Sequence, residues 1–288
     1  MPFQKLHLIV NPAAGRNEAI LNTVNDVFHA VDLRWDVSVT LQDGDGAQAA
    51  RTALDDGADL IVVYGGDGTV KDVASGMVEA DVPLAILPGG TGNALIYKLG
   101  LPDSLKAACQ LITQPHDFRP LDLGHVRCEK SAAEGYFLLR ANVGLSNAIV
   151  EKASRDLKDR FGNLAYLFSA IQSLNQADEI EFQVTADQDS LRLTGVACMV
   201  ANAVTIGGGA AFDFAPEVLV DDQTLDLFIF EHQSTAILEI LKSQLSADLS
   251  QFKGHYPGRH FHIATAAPQN ITLDGEVLGE TPPPLRSS

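Results

Sequence analysis

Three times between residues 1 and 99 the chain passes from a short apolar segment, through a loop of small residues, into apolar residues at helical spacing. Leu6 to Val10 runs into Asn11-Pro12-Ala13-Ala14-Gly15 and then Ile20 to Val31. Leu60 to Tyr64 runs into Gly65-Gly66-Asp67-Gly68-Thr69, after which Val70, Val73 and Met77 recur at helical intervals. Leu84 to Leu87 runs into Pro88-Gly89-Gly90-Thr91-Gly92-Asn93 and a helical start at Ala94 to Leu99. Trp35 to Leu41 alternates as a further strand, and Gly46 to Asp55 is an alanine-rich helix. Strands alternating with helices predict an α/β fold, an open and mostly parallel sheet with helices on both faces.

In such sheets ligands bind at the carboxyl ends of the strands, which is where all three loops fall. Glycine lets the backbone approach phosphate oxygens, and the helix that follows offers unpaired N–H groups and the positive end of its dipole. Each loop alone reads equally well as a tight turn. Together, two with a threonine and one with a central aspartate, they fit a nucleotide phosphate chain. Neither Gly-x-x-x-x-Gly-Lys-Ser/Thr nor a strand-linked Gly-x-Gly-x-x-Gly with a following ribose carboxylate is present. Asp67, between two glycines, is suited to hold Mg²⁺ against phosphates or to orient an attacking hydroxyl, and equally to stabilise its turn.

The rhythm changes after Pro115 to Pro120. Short alternating segments follow: Tyr136 to Val143, Ile180 to Thr185, Leu191 to Val200, Leu225 to Phe230, His260 to Ala264 and Asn270 to Leu273. They predict an antiparallel β-sandwich. Asn147 to Ser173 and Ala236 to Phe252 read as helical excursions. The expected domains are 1–120, nucleotide-binding, and 121–288, β-rich.

The net charge of -17 and pI near 4.7 exclude a typical phosphate-backbone binder, so no nucleic-acid partner is expected. Cys109, Cys128 and Cys198 have no paired spacing and read as free thiols of a cytoplasmic protein. No apolar run reaches the ~20 residues that span a bilayer. Lys152, Arg155, Lys158 and Arg160 interleave with Glu151, Asp156 and Asp159, which favours a solvated helix face over a headgroup site. His255, His260 and His262 lack a completing ligand pattern and read as surface or strand residues.

Asn11-Pro12-Ala13-Ala14-Gly15-Arg16, Gly65-Gly66-Asp67-Gly68-Thr69, Pro88-Gly89-Gly90-Thr91-Gly92-Asn93 and Asp274-Gly275-Glu276 occur in fixed order. In this the chain resembles the diacylglycerol kinase catalytic family, which includes bacterial lipid kinases and sphingosine and ceramide kinases. Phe161 to Tyr166, Gly207-Gly208-Gly209 and Ala215-Pro216 extend the resemblance over nearly the whole chain. It implies a Rossmann-like, NAD-kinase-like parallel-sheet domain followed by a β-sandwich, with ATP and Mg²⁺ bound between them and a lipid alcohol as substrate, diacylglycerol first.

Carried over by position, the nucleotide would meet Asn11, Pro12, Ala13, Ala14, Gly15, Thr40, Gly66, Asp67, Gly68, Thr69, Asp72, Gly90, Thr91 and Asn93. Glu276 would be the general base and Asp67 would lie close to the transferred phosphate. By itself the Asp-Gly pair before Glu276 reads as a hairpin turn. A structural Mg²⁺ would be held by Leu219, Asp222 and Thr224, with Asp122 nearby. Gln223 departs from the glycine usual in that loop, and Asp72 from a usual glutamate. The expected surroundings are a cytoplasmic enzyme in transient peripheral contact with a membrane, a homodimer being left open. Two other readings stay open, a kinase for a soluble hydroxyl compound such as NAD and a nucleotide-binding regulator without catalysis.

Overall fold

A computed structural model of the chain describes residues 3–115, 117–144, 178–206, 212–213, 215, 217–231 and 254–283. It divides into two compact units, one built on residues 1–120 and the other drawn from residue 121 onward. The helical excursions expected at 147–173 and 236–252, the basic run 152–160, the segments 161–166 and 207–209, and Pro216 lie outside the described residues.

In the first unit β1 (Leu6–Val10), β2 (Trp35–Val39), β3 (Leu60–Gly65) and β4 (Leu84–Pro88) form one sheet in the order β2-β1-β3-β4, every pair parallel. Between and after them come α1 (Ile20–His29), α2 (Asp45–Asp55), α3 (Asp67–Ser75), α4 (Ala94–Lys98) and α5 (Leu105–Ile112). Strand side chains alternate between faces. Leu8, Val62 and Tyr64 meet Phe28 of α1 and Cys109 of α5 in one core cluster. Ile9, Ile61 and Val63 point to the opposite face and are equally buried, where α2 packs on β1 and α3 on β3. Coverage of both faces explains why β3 is buried at every position. Helix α5, which the sequence reading did not anticipate, buries Leu105, Ala108, Cys109 and Ile112 at helical spacing.

In the second unit, β14 (His255–Gly258), β13 (Leu225–Phe230), β10 (Ala197–Ala201), β7 (Arg140–Val143), β16 (Asn270–Leu273) and β17 (Glu276–Glu280) form a six-stranded sheet in that order. A second sheet orders β15 (Phe261–Thr265), β8 (Ile180–Ala186) and β9 (Asp189–Gly195). The pairs β5 (Gly124–Arg127) with β6 (Glu134–Phe137), and β11 (Thr205–Ile206) with β12 (Phe212–Asp213), complete the described strands. All these pairings are antiparallel. Cys198, Val200, Leu227 and Ile229 of the larger sheet meet Phe182 and Val184 of β8 in the sandwich core. Met199, Ala201 and Phe228 alternate to the other face and pack on Val204, Ala215 and Val218.

Two segments expected as single strands are broken. Tyr136 to Val143 divides at Leu138-Leu139 into β6 and β7, because the chain turns a corner there. Leu191 to Val200 divides at Val196, where the chain leaves one sheet for the other, and the Val196 N–H donates to Phe230 O at 2.7 Å. Gly195 is required at that crossing, since a Cβ would stand 2.6 Å from Ile229 Cγ2 and from Phe230 O. Apolar alternation continues across both breaks, so periodicity alone does not reveal them.

Candidate functional site

Strands β1, β3 and β4 are neighbours and parallel, so the three loops leave the same edge of the first unit's sheet. The backbones there are in close approach. A Cβ on Gly90 would lie 2.6 Å from Gly66 Cα, and one on Gly15 would lie 2.8 Å from Thr91 Cγ2. Asn11 joins two of the loops. Its N–H donates to Tyr64 O at 2.9 Å, its Nδ2 donates to Thr69 Oγ1 at 2.9 Å, and its Oδ1 accepts from Ala13 N at 2.9 Å. Pro12 and Ala13 are left exposed on the surface of this loop, with Ala14 half-buried. Thr40, buried just past β2, donates its N–H to Val10 O at 2.9 Å.

Asn93 closes the third loop from within. It is buried and takes φ +53, and its side chain both accepts from Gly90 N (3.1 Å) and donates to Gly90 O (2.9 Å). Arg16 clamps the first loop to the third, donating to Gly90 O (3.2 Å), Asp103 O (2.8 Å) and Asp103 Oδ1 (2.5 Å). Neither Arg16 nor Asp103 was a candidate from sequence. Arg16 directly follows the first loop, but its partners lie 74 and 87 residues away.

The carboxylates of α3 have defined partners. Asp67 accepts from Ala94 N through Oδ2 (3.0 Å) and from Leu95 N through Oδ1 (3.1 Å). It thereby caps the first turn of α4, whose own N-cap residue Asn93 has turned its side chain to Gly90. Asp72 accepts from Gly46 N at 2.8 Å in the first turn of α2. The shorter carboxylate in place of glutamate therefore makes a direct contact. Helix α3 itself begins after Gly66 with no side-chain cap. Its first amides, on Asp67, Gly68 and Thr69, face the loop edge with the positive end of the helix dipole. Of the two helix ends expected to bind anions after β3 and β4, that of α4 is already occupied by Asp67, and that of α3 carries no side-chain cap.

In the second unit, Asp274 and Gly275 link β16 to β17 with φ +49 and +98, a two-residue turn of the type I′ kind. The Asp-Gly pair thus does form the hairpin its sequence suggests, and Glu276 is its first residue beyond the turn, exposed. Asp274 accepts from Leu138 N (2.8 Å), Leu139 N (3.0 Å) and Arg140 N (2.8 Å). Burial pushes its carboxyl above the usual carboxylate range, against the pull of these donors and of the Arg140 charge.

The 219–224 loop is held by the same kind of contact. Asp222 Oδ1 accepts from Thr224 N (2.9 Å) and Oγ1 (2.7 Å), and Asp122 Oδ2 accepts from Gln223 N (2.7 Å). Gln223 takes φ +62, the conformation glycine would adopt most easily. Its cost, ~1 kcal/mol for a non-glycine residue, is offset by the charged hydrogen bond to Asp122. The loop therefore keeps a left-handed geometry despite the substitution. Backbone carbonyls and carboxylates, the ligand types expected of this loop, are what a hard divalent cation takes. No cluster of three His, Cys, Asp or Glu side chains gathers among the described residues. His255, His260 and His262 each have a separate carboxylate partner, respectively Asp226, Asp187 and Glu129. The three cysteines are buried, and burial pushes the Cys109 thiol up to about 12.

Residues 5–126 match the diacylglycerol kinase catalytic domain, and residues 141–287 match the YegS C-terminal NAD kinase beta sandwich-like domain. A Stenotrophomonas maltophilia protein named "Probable lipid kinase YegS-like" is 29% identical, over 96% of this chain and 91% of its own length. An uncharacterised Synechocystis protein is 30% identical over 96% of this chain, which spans 66% of that relative. A crystal structure of a diacylglycerol kinase from Bacillus anthracis superposes with TM-score 0.75 at 29% identity, covering 98% of this chain and 93% of the other. Both domains match, in the order that the parallel sheet and the sandwich occupy along the sequence: the chain belongs to the diacylglycerol kinase catalytic family of lipid kinases.

Proposed function

We propose that the protein is an ATP-dependent lipid kinase that transfers the γ-phosphoryl group to a lipid hydroxyl, diacylglycerol-like as first substrate. The observation that carries this is the loop edge of the first unit, where α3 begins without a side-chain cap between two glycine loops in backbone contact. Phosphate oxygens are the natural acceptors for those amides. Asn11, Gly15, Gly66, Gly68, Thr69, Gly90 and Thr91 shape the cradle, and Asn93, Arg16 and Asp103 hold it closed.

A lipid alcohol is a weak acid, and Glu276 serves as the base that receives its proton as the phosphoryl group arrives. Mg²⁺ supplies charge neutralisation between phosphates when bound, and Asp67 has lone pairs beyond its two amide contacts with which to meet it. Asp222, with the carbonyls of Leu219 and Thr224, would hold a second, structural cation. The work is cytoplasmic, with transient contact at the membrane where the lipid resides.

The test is transfer of labelled γ-phosphate from ATP to a panel of lipid alcohols in mixed micelles, with NAD as a soluble acceptor and a no-acceptor control. A labelled lipid is the expected product. Labelled NAD would move the assignment to a soluble-substrate kinase, and nucleotide binding without any labelled acceptor would move it to a regulator.

A further inference from the structure

We infer that Asp274 is a positioning residue for phosphoryl transfer, its carboxylate tying the hairpin that carries Glu276 to the corner between β6 and β7. This rests on the proposed role of Glu276 and deepens it. Strand β17 is the outermost strand of the six-stranded sheet and pairs with β16 alone among the described residues. Its register with β16 shifts between Ile271 and Thr272. Strand β16 is held by β7 as far as Leu273, so the freedom to twist belongs to β17 and to the turn beyond Leu273, where one side of the ladder has no partner among the described residues. A base at its tip would be poorly aimed unless something held the turn.

Asp274 holds it. Three N–H groups, of Leu138, Leu139 and Arg140, converge on the one carboxylate at 2.8–3.0 Å, and the Asp274 N–H returns to Arg140 O at 2.9 Å. The corner is fixed in turn. Asn202 N and Ala203 N donate to Leu139 O (2.8 and 2.9 Å), and Asn202 Nδ2 bridges Leu138 O (2.9 Å) and Asp122 O (2.8 Å). The turn itself does not need the carboxylate, because Asn-Gly makes the same turn at least as readily. What needs it is the corner, where three successive backbone donors converge on the carboxylate. Glu276, two residues on, inherits its place from this contact.

The experiment compares Asp274→Asn, Gly275→Ala, Glu276→Gln and the double variant D274N/E276Q in the labelled-lipid assay. An amide cannot accept from all three donors, and its NH₂ meets one of them. Asp274→Asn is expected to lower kcat about 10- to 100-fold, part of what a general base contributes, with KM for ATP unchanged. Gly275→Ala has open space around its Cβ and acts only through the strained φ of +98. It should lower kcat in the same sense without touching the carboxylate, and it carries the test if Asp274→Asn does not fold. The double variant should lose no more than Glu276→Gln alone, because a positioning residue acts through the group it positions. Amide hydrogen exchange at residues 274–278 should quicken in Asp274→Asn while β10 stays protected.

Unchanged kcat in both single variants, or losses that multiply in the double variant, overturns the inference. A wild type that labels no lipid defeats the proposed function instead. The positioning claim then stands or falls on the exchange at 274–278 alone.

Discussion

Asp67 shows how one side chain serves two demands. From sequence it is a carboxylate between glycines at a strand end, close to where a phosphate would sit. In the structure it also supplies the cap that α4 lacks. Asp67→Ala should therefore remove phosphoryl transfer and, unlike a purely catalytic change, cost about 1–2 kcal/mol of stability through two orphaned amides. Urea unfolding of the variant measures the second effect, and an unchanged midpoint would mean that water caps α4 equally well. Glu276→Gln is the contrasting case: as the proposed base it should lose about 10²- to 10⁴-fold in kcat, and as an exposed residue it should change stability and nucleotide affinity little, read by kinetics beside nucleotide titration. Asp187 gives a pH dependence. Backbone N–H groups of His260 and Arg259 hold its carboxyl below the usual range. With a folded pKa below the unfolded one, its contribution is present above the usual carboxylate pKa and lost as pH falls through the folded value. Asp187→Asn should accordingly flatten the acid limb of a stability–pH curve by lowering stability at neutral pH, while leaving stability at acid pH nearly unchanged.

Among the elements, the approach of α2 to α3 sets where the α3 N-terminus lies. A Cβ on Gly76 would collide with the Ala47 carbonyl oxygen and stand 2.8 Å from Ala47 Cα. Backbone cannot move aside as a flexible side chain can. Gly76→Ala should cost about 1–3 kcal/mol and raise KM for ATP by displacing the amides of Gly68 and Thr69. A loss of stability with KM unchanged would place the phosphate contacts elsewhere. Much of this layer was legible beforehand, because β1, β3 and β4 are apolar runs that end in glycine or small residues, and those residues are demanded by the close approach of the loops. Helix α5 was overlooked, although Leu105, Ala108, Cys109 and Ile112 carry the helical period. The corner at Leu138-Leu139 was hidden for a physical reason: apolar alternation continues through it, and the group that makes the chain turn is Asp274, 134–136 residues later. The cap on α4, 27 residues from Asp67, was hidden in the same way. Local pattern shows which residues are special, whereas a partner far along the chain shows what each is for.

For the molecule as a whole, charge decides how a lipid substrate can be reached. With 37 acidic against 20 basic residues, and no membrane-crossing helix among the described residues, approach to an anionic leaflet is opposed electrostatically. The opposition reaches ~30 Å at about 0.01 M salt and ~8 Å at about 0.15 M. A lipid alcohol diluted into zwitterionic vesicles should therefore be phosphorylated with a lower apparent KM than the same alcohol in anionic vesicles. The gap should widen at low salt and narrow at high salt, with kcat at saturation unaffected because the field acts on encounter rather than on the transferred group. Turnover on both vesicle types across a salt series measures this. If anionic vesicles are instead preferred, a local cationic face overrides the global charge. The run Lys152, Arg155, Lys158 and Arg160 is then the segment to neutralise, because four such charges at about 1 kcal/mol each would be the upper bound of its pull, with Glu151, Asp156 and Asp159 interleaved working against it.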